Sequence, residues 1–410
     1  MPTRTAVLQR HASLPHRSLG TLGKVPVLLC LVWLSGCADT GYLLQSASGH
    51  LKLIQASRAI DVWLDDVSVP ERLKQRLQLA REMRRFAVTD LHLPDNASYQ
   101  RYAQLDRRAV VWNVVAAPTY SLTLKTWCFP VTGCVGYRGY FDEADAKAEA
   151  ARLRMQGLEA SVYGVPAYST LGWTNWLGGD PLLSTFIHYP QGELARMIFH
   201  ELAHQVLYVP DDTAFNESFA TAVERLGSST WLAQQKDPAV ASEYILLDTR
   251  RQAFRALAAR TRQQLMAAYV LPTEGATTTA IPPVHEPVPE QQQTRKAAIY
   301  ADFRSDYAQL RACWGGDSRY DAWVANANNA AFGALAAYDD WVGAFEALFR
   351  HEAGDWEAFY AATRRLAQLP RPQRTEQLRR LQSTVERSAP LVPGCDTEAL
   401  RLHGVARARE

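Results

Sequence analysis

Cysteine is scarce in this sequence, six residues in 410, so no disulfide framework can stand in for a hydrophobic core. No two of them are spaced as CxxC, which argues against a zinc site built from thiolates. Charge of one sign is missing too. The 44 basic and 42 acidic residues leave a formal net charge of +2, without the basic surface that binds nucleic acid or the acidic excess of a solvating tail. No apolar run reaches the roughly 20 residues that a membrane-spanning helix needs, and no internal repeat is visible. What the chain does have is apolar and aromatic. Hydrophobic residues make up 47%, with 11 Trp, enough for one large core or two smaller ones and too much for a disordered polypeptide. Composition alone specifies an ordered protein and no chemistry.

Residues 1–36 carry Arg4, Arg10, Arg17 and Lys24 and no acid, so the rest of the chain has a formal charge of about −2. The apolar run from Val25 to Leu34 has the length of a secretory h-region, about 7–15 residues. It ends in Leu34-Ser35-Gly36-Cys37, which resembles a bacterial lipobox. That resemblance implies a signal peptide over 1–36, a lipid on Cys37, and a chain anchored at the periplasmic face of a Gram-negative envelope. Ala38, where inner-membrane retention would call for Asp, implies the outer membrane. An ordinary cleaved signal is the alternative. Such a compartment allows disulfides. Cys128 and Cys134 bracket the turn-like Phe-Pro-Val-Thr-Gly, and short loop closure favours a bridge between them, leaving Cys313 for Cys395. Three connectivities remain formally open.

Periodicity predicts helix from Cys37 to about 90, with a segment from Pro70 to Arg85 carrying Leu73, Leu77, Leu79 and Met83. Arg108–Ala117 and Tyr120–Trp127 are β-rich, Asp142–Gly157 is a helix closed by its glycine, and Ala160–Trp173, with Pro166 and two glycines inside it, is either an edge strand or a turn-rich connector. Helices are expected over Gln191–Tyr208 and Phe215–Leu226. The Pro, Thr and Gln-rich stretch 271–296 reads as a long loop. It divides a region 37–270 from a helical lobe 297–385, with a C-terminal tail over 386–410. The fold class is α+β and predominantly helical, with a small sheet.

Chemistry concentrates in Phe199-His200-Glu201-Leu202-Ala203-His204, an HExxH motif. On a helix His200 and His204 lie one turn apart and can meet one Zn²⁺, while Glu201 beside them can take a proton from water. Leu194, Ile198, Leu202 and Val206 recur every fourth residue and would embed that helix. Further on, Phe215-Asn216-Glu217-Ser218-Phe219-Ala220 offers a carboxylate from a second helix, completing a His₂Glu set with one coordination position left over.

This pairing resembles the gluzincin metallopeptidases, in which HExxH is followed by a helix bearing NExxA. Carried over, the resemblance makes His200, His204 and Glu217 ligands of one Zn²⁺ and Glu201 the catalytic base. Glu224 is the rival third ligand, or a residue that holds one of the histidines. The wider chain resembles a family of bacterial lipoproteins described as predicted zinc aminopeptidases. The residues that carry this likeness are Gly41-Tyr42-Leu43-Leu44-Gln45, Gly49-His50-Leu51, Tyr137-Arg138-Gly139-Tyr140-Phe141, Ala167–Trp173, the HExxH stretch and Asn216–Ala220. The implied fold is a zincin-like (gluzincin) catalytic core with a helical C-terminal lobe, and the implied partner is a peptide or protein substrate. The Gly-x-Met-Glu-Asn motif that captures a free amine in large zinc aminopeptidases is absent, and Glu193 is the acid that could replace it. An oxyanion donor is also expected. Tyr338 is the first choice, followed by Tyr320, with Asn328 and Asn329 nearby in sequence. Two other readings stand beside the aminopeptidase: an envelope endopeptidase, and a non-catalytic lipoprotein with a structural metal site. The intact Glu201 favours an enzyme, since a structural site needs no base.

Overall fold

Start signals and apolar spacing set the helices in the computed structural model, which describes residues 37–129, 133–167, 170, 178–270, 290–336 and 340–386. These residues fall into two units divided between Ser48 and Gly49. The first contains the opening turns of helix α1 (Cys37–Ala56), and the second contains every other element. A two-residue strand, β1 (Arg58–Ala59), and the short helix α2 (Ile60–Asp65) precede α3 (Glu71–Thr89). Pro70 stands at the entry of α3 with its φ already fixed for a helix, and Leu77, Ala80, Met83 and Phe86 form the buried face.

The remaining strands are β2 (Arg101–Ala103), β3 (Val111–Pro118), β4 (Trp127–Phe129), β5 (Gly133–Val135), β6 (Arg138–Tyr140), β7 (Leu158–Val165) and β8 (Leu182–Leu183). They pair as two three-stranded sheets, β1-β2-β8 and β6-β3-β7, and one hairpin, β4-β5. Strand β3 is central, and Val111 to Ala117 are all buried, which is why this run reads as continuously apolar. Between β6 and β7 lies α4 (Glu143–Met155). Asp142 caps it by accepting from the Ala144 N–H at 2.7 Å, and Gly157 at φ 80° closes it. Strand β7 runs antiparallel to β3 from Leu158 to Val165, lies at the sheet edge, and stops before Pro166. The expected strand over Tyr120–Trp127 does not form; only Trp127 belongs to a strand. The reason lies at its start. The Pro118 and Thr119 carbonyls accept from the Asn329 side chain, and Thr119 also accepts from Lys296, so the chain leaves the sheet there.

Helices then dominate: α5 (Gln191–Ala203), α6 (Thr213–Ala233), α7 (Pro238–Tyr269), α8 (Glu290–Cys313), α9 (Asp321–Ala325), α10 (Asn329–Ala336), α11 (Val342–His351), α12 (Trp356–Gln368) and α13 (Arg371–Glu386). Helix α5 ends five residues before the expected Tyr208. The Gln205 and Val206 N–H groups bond to Leu202 and Ala203, which tightens the last turn, and Pro210 follows. Helix α8 begins at Glu290, inside the stretch expected to be loop up to 296. Residues expected as a separate C-terminal lobe share cores with the rest. Phe254, Leu257 and Leu265 of α7 pack with Tyr300, Phe303 and Phe332, while Phe345, Phe359, Tyr360 and Leu378 join the cluster around α3, α5 and α6.

A disulfide joins Cys128 to Cys134, and Cys313 is also disulfide-bonded. Its expected partner Cys395 lies outside the described residues, as do the expected signal peptide and residues 271–289 of the expected loop. No described helix is long and apolar enough to cross a membrane. A buried ion pair ties α13 to the residue ahead of α6. Arg374 of α13 donates to Asp212 at 2.7 and 3.0 Å, both side chains being more than nine-tenths buried. Arg374→Ala is expected to lower unfolding stability by about 3–5 kcal/mol, read from denaturant midpoints, because it leaves the Asp212 charge buried and unpaired. A change under about 1 kcal/mol would mean that water reaches the carboxylate.

Candidate metal centre

Helix α5 is buried over most of its length, its polar face of Glu193, Arg196 and His200 included in part, which makes it a central element. Leu194, Ile198 and Leu202 are fully buried along one stripe, while Val206 lies beyond the helix end and packs on the same core. Helix α6 crosses α5 closely. At Gly227 a Cβ would lie 2.6 Å from Leu91 and 3.2 Å from Phe199, so only a hydrogen fits. Asp212 caps α6 by accepting from the Phe215 N–H. Asn216, 2% exposed, closes the preceding loop with both ends of its amide: Oδ1 accepts from Val209 N–H at 2.9 Å, and Nδ2 donates to Val209 O at 2.8 Å. This gives the Asn of the Asn-Glu pair a physical role. It sets where α6 starts, and so where Glu217 points.

Three donor atoms converge between the helices. His200 Nε2 lies 3.2 Å from His204 Nε2, and Glu217 Oε2 lies 3.4 and 3.7 Å from those two nitrogens. Ligands about 2.0–2.1 Å from a tetrahedral cation stand about 3.3 Å apart, so the set is spaced for one divalent ion. His200, His204 and Glu217 are the one His, Cys, Asp or Glu group among the described residues with such spacing. The charges agree with that fit. Burial opposes charging His200, but Glu217 and Glu224 overcome it and push its pKa up to about 10. Burial, with repulsion from His200, pushes His204 down to about 4. On the side chains alone His200 is therefore charged and His204 neutral, and a bound cation would require the His200 proton to leave. Burial pushes Glu201 up to about 7, helped by Glu217, Asp180 and Glu224 and opposed by His200.

A family model described as "Putative aminopeptidase" matches residues 41–378. The chain belongs to that family. No curated protein and no solved structure matches it. Membership points this aminopeptidase-family chain towards peptidase chemistry, and the matched span includes α5, α6 and His200, His204 and Glu217.

Glu224, the rival ligand, lies on the other side of the His200 ring in this family member. Its Oε2 is 2.9 Å from Nδ1, an ion-pair distance without hydrogen-bond alignment, whereas Glu217 faces Nε2. Its other oxygen accepts from Arg196 at 2.6 Å. Burial would raise the Glu224 pKa, but Arg196 and His200 hold it below the usual carboxylate range. Glu193 is not free to meet a substrate amine: Arg196 and Arg251 both pair with it, at 3.3 and 2.5 Å. Glu224→Ala is expected to weaken divalent-metal affinity about 10–100-fold, measured by competition with a chromophoric chelator. Unchanged affinity would show that His200 orients without it.

Of the expected oxyanion donors, Tyr338 lies outside the described residues. Tyr320 stacks on Phe254 at 3.9 Å, within an aromatic cluster. Asn328 and Asn329 bind backbone and side chains around β3 and β7 and serve the fold. One further aromatic residue, without a signal in the sequence, interacts electrostatically with Glu201. Tyr99 is 1% exposed, adopts φ 62°, and donates its N–H to Asp180 O at 2.7 Å. Its phenol lies within electrostatic reach of Glu201 and Asp180, and burial with those two charges raises its pKa well above the usual value. Among the described residues its hydroxyl makes no hydrogen bond. Gln205, one residue past His204, anchors this loop by donating to Ser98 Oγ at 3.1 Å and accepting from Asn96 at 2.6 Å. No turn residue at position 99 announces the left-handed backbone, so the sequence carried no signal for it.

Proposed function

We propose that the chain is a zinc metallopeptidase of gluzincin type, acting as an aminopeptidase on peptides or protein termini. The observation that carries this reading is the tetrahedral spacing of His200 Nε2, His204 Nε2 and Glu217 Oε2, with Glu201 buried one residue along the same helix. Zinc held by those three groups would supply Lewis acidity at the scissile carbonyl and acidify water for attack. Glu201 takes the proton of the attacking water and returns it to the leaving amine. Glu224 holds the His200 ring from behind, and Arg196 keeps Glu224 ionised. The Tyr99 hydroxyl donates to the oxyanion that develops on the carbonyl oxygen. Its raised pKa keeps the proton in place for that role.

Metal analysis of the purified protein tests the reading. The expected result is one equivalent of zinc, lost in His204→Ala; zinc that survives this substitution would remove the centre of the proposal. A second reading, endopeptidase, draws on one observation: Glu193, the acid offered for a free amine, is already held by two arginines. Peptides with free and blocked N-termini separate the two, since an amine-dependent enzyme ignores blocked substrates. The envelope location stays part of the proposal through Leu34-Ser35-Gly36-Cys37. It is checked by the mass of a diacylglyceryl group on Cys37.

A further inference from the structure

The two ligand helices are joined by residues 204–212, and this joining loop is held from outside by an element that the mechanism does not use. Asn216 and the Asp212–Arg374 pair fix it from within. Between them Asp211 adopts φ 64°, a left-handed backbone that few residues other than glycine tolerate without support. The support comes from the β4-β5 hairpin. The Cys134 N–H donates to Asp211 Oδ1 at 2.6 Å. Gly133 lies flat against the same residue: a Cβ there would stand 2.6 Å from Asp211 Oδ1 and 3.0 Å from its backbone nitrogen. Gly133 itself has φ 70°, so position 133 needs glycine for both reasons. Cys128 and Cys134 are register partners in the hairpin and are joined by the disulfide. A covalently closed hairpin thus ends on the residue just before the N-cap of the helix that carries Glu217.

We propose that Asp211 is a positioning residue. Latched to the disulfide-closed hairpin, it holds the joining loop so that Glu217 stays within reach of both imidazoles, which makes metal retention depend on the Cys128–Cys134 bond. The inference rests on reading His200, His204 and Glu217 as metal ligands. A dithiol reductant opens the latch. Its thiolate attacks one sulfur, its second thiol closes to a cyclic disulfide, and Cys128 and Cys134 are left as two thiols, a balanced two-electron exchange. With the ring open, the backbone that presents the Cys134 N–H is held to Cys128 by the β4-β5 pairing alone, and the left-handed Asp211 loses part of its outside support.

The test is the rate at which zinc passes from the loaded full-length protein to a chromophoric chelator. Because Cys313 is disulfide-bonded as well, the hairpin is opened by the double substitution Cys128→Ser/Cys134→Ser instead of by a reductant. Asp211→Gly keeps the backbone conformation available but removes the acceptor, while Asp211→Asn keeps an acceptor oxygen and tolerates the left-handed region. Expected is release about fivefold faster in Asp211→Gly and in the double cysteine variant, the weight of one ordinary hydrogen bond, with Asp211→Asn close to wild type. Combining Asp211→Gly with the cysteine pair should add nothing, since both open one latch. A lowered unfolding midpoint with unchanged zinc release in every variant would reduce the hairpin to a structural staple and overturn the proposal. A wild-type protein that binds no zinc at all would instead remove the metal reading, and the latch with it.

Discussion

Glu201→Gln is expected to leave one zinc bound and to lower kcat/KM by about 10²–10⁴-fold, the range for losing a general base. Glutamine has the same shape and fills the same buried space on α5, but it cannot accept a proton. Glu201 is not one of the three groups with ligand spacing, so the metal count should not change. A base must be basic enough to take a proton and still be ionised. Burial and the neighbouring carboxylates push Glu201 up, and a divalent cation at the ligand set would pull it back. Steady-state hydrolysis of a free-amine peptide, with metal content measured on the same sample, checks both halves. Full activity in a zinc-loaded Glu201→Gln protein would take Glu201 out of the reaction. Loss of zinc together with activity would make it part of the site's architecture instead.

Tyr99→Phe should lower kcat by about 10²–10³-fold with little change in KM, as expected when a donor that acts only on the transition state is removed. The substitution takes away one oxygen that bonds to nothing among the described residues, so the fold should be untouched. The strained backbone at Tyr99 is held by its N–H bond to Asp180 and by Gln205 on the neighbouring Ser98, none of which involves the hydroxyl. Thermal stability within experimental error of wild type is therefore part of the prediction. A rise in KM at constant kcat would make Tyr99 a substrate contact; no kinetic change would remove it from the site.

Some of this arrangement could be read along the chain because it is local. Asp142 and Gly157 mark the two ends of α4 through side-chain capping and a positive φ, both properties of single residues. The end of β7 at Val165 follows from Pro166, which cannot extend a ladder. Where longer-range contacts decide, local reading falls short. The stretch after Pro118 has strand-forming residues, yet Asn329 and Lys296, brought from about two hundred positions away, take the carbonyls that a ladder would have used. The apolar Val206 fits the helical stripe, yet it lies past the end of α5 and packs on the core from a turn.

The i, i+4 histidines and the glutamate between them are determined by sequence, since helix geometry alone brings two such imidazoles to one face. Which acid stands beside both imidazole Nε2 atoms was decided by tertiary structure. Glu217 and Glu224 lie seven residues apart and share a face of α6, so periodicity treats them alike. Packing does not: Arg196 draws Glu224 to the Nδ1 side of His200, and the Asn216 clamp on Val209 turns Glu217 to the Nε2 side. Tyr99 and the Asp211 latch likewise owe their places to loops meeting across the fold, where hydrogen bonds between distant backbones, and no residue pattern, hold side chains in unusual conformations.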